Sequence, residues 1–177
     1  MGPALRYYSS LVGAWSGAFA LTVRERRAIT ALRAPFPVKL ALRAIGLLPV
    51  LGRSTMSTTL APVGGPEERT FLHTTRVSSV GVTLYETRET IRVHEDERTF
   101  DMSGEQRALF GPTEPYASEG AIDEEAKRAT YRIPWLGEPL LQETEIEAGG
   151  LRLTQTTDFS RAEVLLTRAS PPDASRA

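Results

Sequence analysis

At 177 residues the chain has room for one domain with a sizeable core and is short for two. Its 41% apolar and 24% charged content is that of an ordinary globular protein and excludes general disorder, and the absence of cysteine excludes disulfide stapling and thiolate chemistry. The net charge of −1 hides a lopsided distribution: residues 1–53 carry eight basic side chains against the single acid Glu25, and the remainder is acidic on balance.

That asymmetry supports two readings, a solvated basic face beside an acidic body or a docking surface for an anionic membrane. Nucleic acid is not expected, because nothing resembles a recognition module. The longest apolar run, residues 45–51, is too short to span a bilayer and contains Gly46 and Pro49. The opening MGPALRYYSS lacks the charged start and apolar block of a secretory signal. Together with the missing cysteines, this predicts a cytoplasmic protein.

Residues 1–11 read as an N-terminal segment ahead of the main domain. Residues 12–22 read as the first strand, with Trp15, Gly17, Phe19 and Leu21 on one side and Ala14, Ser16, Ala18 and Ala20 on the other. The small residues predict close packing against a neighbour such as the Tyr7–Tyr8 segment. Ile29 and Leu32 then repeat at helical spacing within 24–34, a run that Pro35 ends. A second helix is predicted over 37–46, with Pro37 in its first turn, Lys39 and Arg43 on one face, and Val38, Ala41, Leu42 and Ile45 on another. The pair forms a helical insertion at about 24–47.

From residue 53 onward the pattern is β. STMSTTL is a short strand. RTFLHTTRVS is another, and a three-residue turn Ser79-Val80-Gly81 would set Val77 opposite Thr83, Thr75 opposite Tyr85 and His73 opposite Thr87. The next strand runs to Val93, turns through HEDE, and returns with Ile91 near Phe100. Near the C-terminus, Gly149-Gly150 as a two-residue turn would place Thr144 opposite Gln155, Gln142 opposite Thr157, Leu140 opposite Phe159 and Glu147 opposite Arg152. The last strand covers 162–168, and residues 170–177 form a flexible tail. Eight or more short strands joined by short turns predict an all-β, antiparallel up-and-down barrel over 12–169, with a β-sandwich as the alternative.

Gly13-Ala14-Trp15 in the first strand and Arg168 in the last resemble the signature of the lipocalin/calycin superfamily. The resemblance implies a Trp15 ring across the barrel bottom, with the Arg168 guanidinium packed over it by cation–π attraction. The helical insertion after the first strand resembles the intracellular fatty-acid-binding branch, where two helices cap the portal. That branch's arginine–tyrosine carboxylate clamp has no clear counterpart here. GAWSGAF also resembles nitrobindin-like haem-binding barrels. Their iron ligand is a histidine near the C-terminal strands, however, and this chain has only His73 and His94, so haem is not expected.

No metal constellation, phosphate loop or nucleophile elbow is present in the sequence, and no cofactor is expected. The candidate ligand-binding residues are Tyr85, His73, Gln142, Thr144, Gln155, Thr157, Tyr131 and Trp135. His73 is either a hydrogen-bonded core imidazole or a pocket acid–base group. The glutamines and threonines form an internal network or line a cavity. Tyr131 and Trp135 stack on a ligand or pack the barrel end.

The leading expectation is non-covalent binding of a mostly apolar small molecule, with transient contact between the basic insertion and an anionic membrane. The alternative is an isomerase or cyclase in which Tyr85 or His73 polarises a carbonyl or moves a proton. A third possibility is a purely structural or interaction domain.

Overall fold

In the computed structural model, which describes residues 2–47, 53–64, 69–94, 98–109 and 111–169, ten antiparallel strands close into one barrel. They are β1 (Gly13–Val23), β2 (Arg53–Pro62), β3 (Thr70–Ser79), β4 (Val82–Val93), β5 (Thr99–Ala108), β6 (Thr113–Asp123), β7 (Arg128–Trp135), β8 (Glu138–Glu147), β9 (Gly150–Thr156) and β10 (Ser160–Arg168). Each pairs with its sequence neighbours, and β1 completes the cylinder by pairing with both β2 and β10. Closure leaves no sheet edge to protect and replaces the sandwich alternative. Among the described residues no helix is long and apolar enough to cross a membrane.

The alternation expected of β1 holds. Trp15 and Phe19 are buried inside, and Ala14, Ala18 and Ala20 face solvent rather than the Tyr7–Tyr8 segment. That segment lies in a helix, α1 (Pro3–Leu11), which fills one end of the barrel. Its Ala4, Tyr7, Tyr8 and Leu11 recur at helical spacing and are all buried in the main core. Each large side chain so buried contributes on the order of 1.5–3 kcal/mol. The N-terminal segment thus packs its helix into the barrel core.

At the same end the Arg168 guanidinium lies 4.7 Å over the Trp15 ring, and Trp15 pairs with Arg168 in the β1–β10 ladder. The Trp15 indole N–H donates to the Leu11 carbonyl at 2.8 Å. Arg168 donates to the carbonyls of Ser10 and Val12 at 3.0 and 3.2 Å, tying α1 to the barrel. A side chain at Gly13 would sit 3.2 Å from Arg168 Nη1, and its φ of +132° suits glycine, which explains the first letter of the Gly-X-Trp signature.

The insertion between β1 and β2 covers the opposite end, the mouth. Its second helix is α2 (Phe36–Leu47); its first is a single 3-10 turn, Ala28–Thr30, where 24–34 was expected to be helical. The backbone is committed elsewhere: Arg24 and Glu25 donate to the Phe159 carbonyl at 2.7 and 3.1 Å, and Arg33 donates to the Leu136 carbonyl at 3.0 Å. Ile29, Leu32 and Leu42 pack with Phe159 as a second small core. Lys39 and Arg43 reach Thr30, at its carbonyl and hydroxyl respectively, and clamp the two pieces together.

Three hairpins differ from expectation by two residues. The β3–β4 turn is Val80-Gly81 alone, both at positive φ, and a bulge follows between Val77 and Ser78; His73 therefore opposes Glu89, Thr75 opposes Thr87 and Val77 opposes Tyr85. The β4–β5 ladder pairs Val93 with Phe100 and Ile91 with Met102. Residues 95–97 of that turn, like the tail at 170–177, lie outside the described residues. The β8–β9 turn is Ala148-Gly149, so Thr144 opposes Leu153, Gln142 opposes Gln155 and Arg152 opposes Glu145, while Glu147 meets Arg152 diagonally at 2.6 Å. A Cβ at Gly150 would lie 2.2 Å from the Leu166 carbonyl oxygen, which places this glycine in the strand rather than the turn. A two-residue shift preserves which side chains face inward.

Candidate functional site

Two cavities inside the barrel are lined by the described residues. The larger, about 180 Å³, lies beneath α2 at the mouth. Its wall is mainly apolar, with Val38, Leu42 and Ile45 of α2 above and Phe19, Val77 and Leu140 of the barrel below. Tyr85, Gln155 and Ser160 supply its polar groups. The smaller cavity, about 40 Å³, lies deeper against α1, where Tyr7, Tyr8, His73, Tyr131, Gln142 and Thr144 meet apolar neighbours.

The candidate residues divide between these spaces. Tyr85, Trp135 and Gln155 line the mouth cavity; His73, Tyr131, Gln142 and Thr144 line the deep one. Gln155 donates its amide N–H to Gln142 Oε1 at 2.8 Å, and Gln142 donates to the Tyr131 hydroxyl, so the glutamine pair links the wall of one cavity to that of the other. Trp135 stacks on Phe159 with centroids 5.5 Å apart, combining barrel-end packing with a place in the cavity wall. Thr157 lines neither cavity. Its hydroxyl accepts the Ser160 N–H at 3.0 Å and pairs with the Ser160 hydroxyl at 2.8 Å, organising the β9–β10 turn. His94 bonds Thr99 and Asp101 at the surface.

A cross-strand row assembles the central polar group. The ladders place His73 beside Glu89, Glu89 beside Gly104 and Gly104 beside Tyr116. His73 Nδ1 lies 2.7 Å from Glu89 Oε2, and the Tyr116 hydroxyl donates to Glu89 Oε1. Gly104 has no side chain to stand between Tyr116 and Glu89, and a Cβ there would lie 2.2 Å from the Arg88 carbonyl oxygen. His73 Nε2 lies 2.6 Å from the Thr58 hydroxyl, which donates to the Thr74 carbonyl at 3.1 Å.

Burial by itself would raise the pKa of Glu89. The charge of His73 and the hydrogen bonds from His73 and Tyr116 outweigh it and hold the carboxyl below its ordinary value. Burial, reinforced by the Glu89 charge, pushes the hydroxyls of Tyr8, Tyr85, Tyr116 and Tyr131 well above theirs; burial likewise raises Tyr7. All remain donors at neutral pH. The Tyr85 hydroxyl donates to Gln106 Oε1 at 2.9 Å and that of Tyr7 to the Thr144 carbonyl at 2.7 Å. The Tyr8 hydroxyl, buried at the deep cavity, has no partner among the described residues.

The sequence reading missed Glu89, Gln106, Tyr116 and Tyr8. The first three fall on the inward phase of strands that were recognised or continue that pattern. A correct β3–β4 register would have set Glu89 opposite His73.

These features define a closed ten-stranded antiparallel barrel in the layout that the calycin resemblance implies, with the helical insertion between β1 and β2 and Trp15 under Arg168 at the far end. Among solved structures, a mutant of the fluorescent protein UnaG is similar to it at 16% sequence identity and a TM-score of 0.45, over 92% of this chain and 99% of that one. No protein-family model matches the chain. A comparison with curated proteins found no match.

Proposed function

We propose that this protein binds one mostly apolar small molecule, non-covalently, in the mouth cavity beneath α2. The observation that carries the reading is the cavity itself: about 180 Å³ of mainly apolar wall with a few polar groups, under a helix clamped by Lys39 and Arg43. An apolar cavity of roughly 150 Å³ is enough to take up benzene. The space therefore suits a compact or short-chain lipophile, and a longer one if α2 lifts. Trp15→Phe leaves Trp135, in the cavity wall, as the sole tryptophan reporter. Titration with short-chain lipophiles should then give a saturable, one-to-one change in its emission. No response to any member of such a panel rejects the reading.

In the isomerase or cyclase alternative Tyr85 or His73 acts on the substrate, but both are already engaged within the protein: Tyr85 donates to Gln106 Oε1 at 2.9 Å, and His73 lies between Glu89 and Thr58. Binding is the better-supported function.

Delivery to or from an anionic membrane belongs to the same proposal. Arg24, Arg26, Arg27 and Arg33 of the insertion are exposed, and α2 turns Phe36, Leu40 and Leu47 outward. The β3–β4 turn at the same end presents Val80, 99% exposed and at a φ of 50°. A β-branched residue in the left-handed region is unfavourable for folding, and a membrane contact would offset that cost. Basic side chains around exposed apolar ones are what a lipid headgroup surface attracts.

A further inference from the structure

We infer that the ligand is an uncharged lipophile whose polar end accepts a hydrogen bond, such as a ketone or an alcohol, and not a fatty-acid carboxylate. The inference rests on the binding reading above and specifies its ligand class.

The first support is the charge inside the barrel. Among the described residues no arginine or lysine lines either cavity, and no ionised side chain lines the mouth cavity. The buried His73–Glu89 pair is already complete: Glu89 uses one oxygen on His73 and the other on Tyr116, and His73 uses its second nitrogen on Thr58. A second carboxylate would find no free cation and would face Glu89, so its desolvation would go uncompensated.

The second support is Tyr8. Its side chain is 4% exposed and lines the deep cavity, and its hydroxyl has no partner among the described residues. Burial, Tyr7, Tyr131 and Glu89 raise its pKa, so it presents an O–H donor at neutral pH. A buried donor without an acceptor is unfavourable, and a carbonyl or hydroxyl oxygen would satisfy it. The deep cavity, about 40 Å³, admits a group of that size. A ligand spanning both cavities would have to displace the Gln155–Gln142 contact between their walls, and the two amides could bond it in turn.

The test uses three eight-carbon probes, methyl hexyl ketone, octanol and octanoic acid, titrated calorimetrically into the wild-type protein and Tyr8→Phe at neutral pH. The ketone and alcohol should bind the wild type at least about tenfold more tightly than octanoate. Tyr8→Phe, which keeps the ring, should weaken the ketone about fivefold and leave octanoate unchanged. Octanoate binding as tightly as the ketone would overturn this inference and leave the binding function standing. Binding of none of the three would reject both. A ketone affinity unchanged by Tyr8→Phe, in a variant with wild-type melting, would overturn the role of Tyr8.

Discussion

His73 and Glu89 face each other across β3 and β4 inside the barrel, Nδ1 to Oε2 at 2.7 Å, and each spends its other polar atom on a further strand. His73 reaches Thr58 on β2, and Glu89 takes the Tyr116 hydroxyl from β6. Four strands are thereby joined through one buried, hydrogen-bonded pair, and this closes the barrel interior to a second buried charge.

Breaking that pair should be costly. Glu89→Gln retains the shape but removes the buried carboxylate that His73 and Tyr116 bond, and chemical denaturation at neutral pH should show a loss of about 1–3 kcal/mol. Because the folded-state pKa of Glu89 lies below its ordinary value, its contribution is present above the ordinary carboxylate range. It is lost as pH falls through the depressed value. Wild-type stability should therefore drop in acid more steeply than that of Glu89→Gln. Parallel acid profiles would show that the pair does not govern acid stability.

The five tyrosines predict the alkaline limb. All are raised in the folded state, so their contribution is full below about pH 10, the unfolded value, and declines as pH rises beyond it. Tyrosinate absorbance should appear together with unfolding. Ionisation of most tyrosines near their ordinary pKa in a protein that stays folded would contradict the packed interior.

The glycine doublet separates turn from strand. Gly150→Ala must push the Leu166 carbonyl aside and should destabilise by about 1–3 kcal/mol, whereas a Cβ at Gly149 meets nothing within 4 Å. Gly149→Ala should stay within roughly 1 kcal/mol of wild type. The reverse order in urea denaturation would restore a turn centred on Gly149-Gly150.

Much of this fold could be read in the sequence because period-two burial writes directly into strands such as β1, and because Gly13, Trp15 and Arg168 answer to one packing event. The helix α2 was legible from its apolar face. The miss at α1 has another cause: nine residues are too few for helical periodicity to stand out, and its Tyr7 and Tyr8 are fixed by a barrel end that the local sequence does not describe. Glu89 escaped because the shorter turn at Val80 and the bulge after Val77 each displaced the register by one residue. Faces survive such a shift, and partners do not. Thr157 faces inward by alternation, but the turn to β10 claims its hydroxyl before a cavity can.

Membrane delivery is tested at Val80 rather than at Lys39 and Arg43, whose contacts with Thr30 hold the insertion together. Val80→Asn relieves the left-handed strain and should stabilise the fold by about 1 kcal/mol. The same variant, combined with Leu40→Ser, should slow ligand transfer to anionic vesicles in stopped-flow fluorescence, and salt should slow the wild type. Transfer at the wild-type rate and without salt dependence would leave the exposed valine and leucine without a membrane role.

The central claim, that the space beneath α2 holds the ligand, is tested most directly by filling it. Ala162 is buried on β10 with its side chain on the mouth cavity. Ala162→Phe should occupy that volume without unfolding the protein. Calorimetric titration of methyl hexyl ketone into both proteins, with thermal melting as the control, should show one-to-one binding by the wild type and none by the variant. Undiminished binding by a folded Ala162→Phe protein would contradict the account.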